Sequence, residues 1–157
     1  MTHPINIFED PRDRIRRLMP KSHDPVILVI KGHLLLEEAM FAVIKTICRR
    51  PEALENARLS FLQLLSLFSG LTGINAENTL YKFIKGTNEL RNKLAHNAEV
   101  PDLEKKIEAL LAVHAREGFK SSKNARERAV QLRTVFAFTC GLVYGTGHGI
   151  SVASTKD

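Results

Sequence analysis

The sequence predicts an all-α fold, an antiparallel bundle of about five helices. Three observations lead there. Apolar residues recur at spacings of three and four rather than in alternation. Proline and glycine punctuate the chain at intervals that leave segments of helical length. The stretches between those segments are short, as in helices that double back on one another.

Residues 1–23 hold Pro4, Pro11 and Pro20 and the basic cluster "RDRIRR". They read as an N-terminal arm, extended except for one short helix around "PRDRIRRLM". The helical domain covers 24–150, and 151–157 is a C-terminal tail. After Pro25, "VILVIKGHLLLEEAMFAVIKTICRR" is apolar on more than one side and is stopped by Pro51. A helix buried on two faces, or one that serves as an interface, accounts for that pattern. "VILVI" could begin a strand, but it runs into the helical pattern without a turn, so no sheet is assigned.

A second helix is expected over 58–69, ended by Gly70 and Gly73. The third begins at Asn75 to Asn78 and carries Leu80, Phe83, Ile84, Thr87, Leu90 and Leu94 at helical spacing. Pro101 precedes the fourth, in which Leu103, Ile107, Leu110, Leu111 and His114 share a side and Gly118 supplies the stop. The fifth spans "NARERAVQLRTVFAFTCGLVYG", residues 124–145.

Composition narrows the function classes. Lys plus Arg number 23 against 17 Asp plus Glu, a net charge of +6 that favours a polyanionic partner. The two cysteines, Cys48 and Cys140, lie in apolar helical segments without metal-ligand spacing, and read as buried thiols of a reducing compartment. No apolar run approaches the roughly 20 residues of a membrane span, so a cytoplasmic protein without a membrane partner is expected. Neither a metal cluster nor a cofactor motif is found. "GTGHG", residues 145–149, follows an apolar helix and lacks a P-loop's lysine and hydroxyl, so it reads as a helix exit.

The chemistry concentrates in "ELRNKLAHN", residues 89–97. With Leu94 facing the core, Arg91 falls about 60° away on the apolar side and His96 near 200° on the other. Asn88, Asn92 and His96 form an i, i+4, i+8 row, which would let Asn92 orient the imidazole. Arg91 and His96 diverge on a straight helix. They would meet if the helix ends or tightens at Asn97, or if a second subunit supplies one of them. Arginine offers a permanent planar cation for phosphate and histidine exchanges protons near neutral pH. The pair could activate a ribose 2′-hydroxyl and stabilise the attacked phosphate. Spacing alone favours the plainer alternative, in which Arg91 salt-bridges a buried carboxylate and His96 caps a helix end.

The whole phrase "TNELRNKLAHN", with "KGHLLLEEAMFAVI" upstream, resembles the HEPN superfamily over residues 24–145. That resemblance implies a compact helical bundle with an R-x(4–6)-H motif, which in active members belongs to metal-independent endoribonucleases with the site at a homodimer interface. It would make Arg91 the phosphate-stabilising cation, His96 the proton-transfer group and Asn92 the polar residue after the arginine. It implies RNA as substrate, a homodimer, a role as a toxin or antiphage effector, and a cognate antitoxin or regulator. Ala98 stands where one branch, paired with a nucleotidyltransferase antitoxin, has tyrosine. Other members serve as non-catalytic modules that bind nucleic acid, nucleotide or a partner protein, the alternative function for this chain.

Two supporting assignments complete the reading. Glu37 projects near His33 and Ile44 and is preferred over Glu38 as a partner for Arg91; an exposed, unpaired carboxylate is the alternative. Lys120, Lys123, Arg126, Arg128 and Arg133 are candidates for an RNA-binding rim, or else for a solvated helix face.

Overall fold

The computed structural model describes residues 10–115 and 120–154, with side chains through residue 147. Seven helices and no strand occur among the described residues: α1 Pro11–Leu18, α2 Pro25–Ile47, α3 Pro51–Asn56, α4 Phe61–Thr72, α5 Thr79–His96, α6 Leu103–Ala112 and α7 Ala125–Ser154. The all-helical bundle expected from the sequence is what forms.

Local chemistry sets the ends of the elements. Asp10 and Asp24 accept backbone N–H groups at the starts of α1 and α2, each followed by a proline whose missing N–H costs nothing there. Ser60 and Gln63 form a reciprocal capping box on α4, which ends where Gly73 adopts a left-handed φ of 76°. Asn78 caps α5, and Asn124 accepts from the N–H groups of Arg126 and Glu127 at the start of α7.

α2 lies at the centre. Its most extensive packing is on α7, and α4 and α5 also pack on it. Leu28, Leu35, Leu36, Met40 and Ile44 are fully buried, together with Phe68, Phe83 and Phe136 from α4, α5 and α7. Each such side chain contributes roughly 1.5–3 kcal/mol on leaving water. At Gly32 a Cβ would overlap the Phe136 ring, so glycine sets the approach of α2 to α7.

"VILVI" is helical within α2, as expected. The element list differs from expectation in two places. A short α3 follows Pro51, where no helix was expected. α7 runs through "GTGHG" to Ser154, because Gly147 packs against Val43 instead of opening an exit. The described part of the arm is folded onto the bundle: α1 packs on α7 and buries Ile15 and Met19. Among the described residues no helix is long and apolar enough to cross a membrane. Cys48 is half-buried, and burial pushes the Cys140 thiol up to about 12.

Candidate functional site

The core-facing stripe of α5 (Leu80, Phe83, Ile84, Thr87 and Leu90) fixes how its polar residues are turned. Asn88 is the unexpected one. Instead of joining a solvent-facing row with Asn92 and His96, it is buried, and its Oδ1 lies 3.1 Å from Nε2 of His33 on α2. His33 in turn stacks on Phe61 of α4, ring centroids 4.1 Å apart. One imidazole therefore ties three helices together.

The protonation state of that ring follows from its surroundings. Burial holds the His33 pKa below the ordinary imidazole range. The Asn88 hydrogen bond works against this and the nearby Arg91 charge adds to it. In the neutral ring Nε2–H donates to Asn88, which leaves Nδ1 buried without a partner among the described residues.

Arg91 is half-buried beside this pair. Its guanidinium donates to Oδ1 of Asn92 at 3.2 Å, so Asn92 orients the arginine and not the His96 ring. Glu37, one turn beyond His33 on α2, is close enough to Arg91 to feel its charge. Burial raises the Glu37 carboxyl above its ordinary value, and Arg91 only partly counters that rise. Glu38 turns elsewhere and pairs with Arg14 of α1 at 3.1 Å.

His96 is the last residue of α5 and is exposed. The helix stays regular to its end, where Asn97 bonds back to the Lys93 carbonyl through both its backbone and its side chain. Five residues of regular helix turn His96 about 140° away from Arg91. One chain thus presents the two on different sides. Arg91 faces α2, whereas His96 shares the side of Glu89 and Lys93, which line a groove of about 260 Å³ between α5 and α6.

The basic rim divides. Lys120, Lys123 and Arg126 are exposed. Arg128 is only 6 % exposed and is fully engaged: it donates to the carbonyls of Ser122 and Lys123 and pairs with Glu104 at 3.0 Å, fastening the loop before α7 to α6. Arg133 donates to the Ser22 carbonyl and holds the α1–α2 connection. Among the described residues no group of three or more His, Cys, Asp or Glu is arranged to hold a metal ion.

The sequence pointed to Arg91, Asn92 and Glu37 but missed the His33–Asn88 pair. A signal was present in the spacing: His33 and Glu37 lie one turn apart on α2, and Asn88, Arg91 and Asn92 lie within one turn on α5. Comparison with protein-family models, with curated proteins and with solved structures finds no match for this chain.

Proposed function

We propose that the chain is a HEPN-type endoribonuclease whose Arg91 and His96 act at a homodimer interface, in the manner of a toxin or antiphage effector held in check by a regulator. The observation that carries the proposal is the end of α5. A half-buried arginine, held by Asn92 beside Glu37, shares one helical turn and a half with an exposed terminal histidine. A second observation supports the dimer. Ile27, Ile30 and Leu34, 46, 39 and 45 % exposed, run along α2 toward Glu37 as an apolar stripe that only Leu18 and Pro20 border among the described residues.

In the reaction, His96 accepts the 2′-hydroxyl proton of a ribose and the 2′-oxygen bonds to the adjacent phosphorus. The phosphorus–O5′ bond breaks, and the leaving oxygen takes a proton from the protonated His96 or from water, leaving a 2′,3′-cyclic phosphate and a 5′-hydroxyl. Arg91 holds the non-bridging oxygens as charge builds on them. The metal-free character of the reaction belongs to the same proposal.

A non-catalytic module that binds nucleic acid, nucleotide or a partner protein is the second reading. It is favoured by one fact: His96 has no hydrogen-bond partner among the described residues to orient its ring. The two readings separate on cleavage of mixed-sequence single-stranded RNA in EDTA. Arg91→Ala and His96→Ala, both folded, are expected to lose at least about a hundredfold in rate. Absence of cleavage by the wild type, or equal cleavage by all three proteins, rejects the nuclease.

A further inference from the structure

On the far side of the bundle's central helix pair, α1 and α7 enclose a groove of about 360 Å³ that the nuclease proposal does not use. Its floor is apolar, formed by Met19, Val130, Ala137 and Phe138, and the last of these is 52 % exposed. Its walls hold Arg12, Arg16, Lys21 and Arg133, with no acidic residue among the described lining residues. Asp10 and Asp13 pair with Arg12 and Arg16 from outside the groove, through side chains that are themselves exposed. Surface pairs of this kind are worth little and exchange readily for a better-placed anion.

The shape of the groove selects among anions. Val130, Thr134, Phe138 and Gly141 follow one another along α7 at spacings of four and three, over about 17 Å of helix. The stem of Arg12 lies over Gly141, forming one rim. Small residues alternate with apolar ones along this line, as on a surface that receives another helix. A single-stranded nucleic acid favours a row of stacking rings, whereas this floor has one ring, which already meets the His114 edge at 5.5 Å.

We propose that the α1–α7 groove docks an acidic amphipathic helix of a partner protein, with its apolar side chains against Val130 and Phe138 and its carboxylates on Arg12, Arg16 and Lys21. The surface lies on other helices than the α5 site and is independent of the nuclease reading.

The test uses the full chain and a designed helical peptide with leucines on one face and glutamates on the other, followed by fluorescence anisotropy. Binding that weakens with salt is expected, and is expected to fall about tenfold or more in Arg16→Glu/Lys21→Glu and in Phe138→Ser. Lys82→Glu on α5 serves as the distant control. Circular dichroism checks that the variants, all altered at exposed positions, remain folded. The proposal is overturned if the peptide binds no better than a version with serine in place of leucine. It is also overturned if the groove variants bind like the wild type, or if a single-stranded RNA of equal charge competes for the same residues more tightly than the peptide.

Discussion

At the scale of single residues, the site is governed by what burial does to ionisable groups. His33 and His114 are both pushed below the ordinary imidazole range, chiefly by burial. As pH falls, the unfolded chain takes up protons at these positions before the folded one does. Their stabilising contribution is therefore present above the unfolded value of about 6.5 and is lost as pH drops through the lower folded values. The urea midpoint should hold steady above neutrality and decline through the mildly acidic range, with a shallower decline in His33→Gln. Glu37 has the opposite sign. Its carboxyl is raised by burial, so its contribution is present below the unfolded value and is lost as pH rises through the folded one. Glu37→Gln should raise the midpoint near neutral pH. A result in which His33→Gln leaves the acid slope unchanged would show that this imidazole is not the group responsible. The sequence singled out Arg91, Asn92 and Glu37 through their neighbours on their own helices. It named Asn88 and Arg128 too but not what engages them, because each is satisfied by a partner brought near only by folding: His33 for the first, the Ser122 and Lys123 carbonyls for the second.

At the scale of helices, capping chemistry and apolar spacing located α2, α4, α5, α6 and most of α7, because those signals are local. What spacing could not show was the course of α7 past Gly145. Glycine is a poor helix former in isolation, but between α2 and α7 its lack of a side chain is what the packing requires, and tertiary contact overrides propensity. The helix α1 was located by its spacing, but its docking was not, since an arm dense in arginine hides Ile15, the residue of α1 that the bundle buries. The helix pair yields its own prediction. Gly32→Ala drives a methyl group into Phe136, and should cost about 1–3 kcal/mol in chemical denaturation despite alanine's better helix propensity. Gly32→Ala/Phe136→Leu, which makes room, should recover part of that loss. Stabilisation by Gly32→Ala alone would mean that the two helices can move apart freely.

At the scale of the whole molecule, the proposed site is divided. α5 turns Arg91 and His96 to different sides, and α2 leaves a strip of isoleucine and leucine in water. If a two-fold axis brings a second α5 alongside, each site takes Arg91 from one subunit and His96 from the other. Mixed and reassembled, inactive Arg91→Ala and His96→Ala proteins should then recover about a quarter of the wild-type activity, since half the dimers are mixed and each has one intact site. Ile30→Glu/Leu34→Glu should sediment as a monomer, and should lose cleavage while retaining its helical spectrum. Recovery by mixing without any dimer, or a dimer indifferent to these two charges, would place the interface elsewhere.

The central pairing of α2 with α7 also has a bearing on biosynthesis. α2 is made before all the described helices except α1, and the helix it packs on most extensively is the last of the described elements to be made. Until then the growing chain holds a helix that is apolar on two faces with only one of them covered. A chain that stalls before α7 is made should therefore expose the face of α2 that α7 would cover.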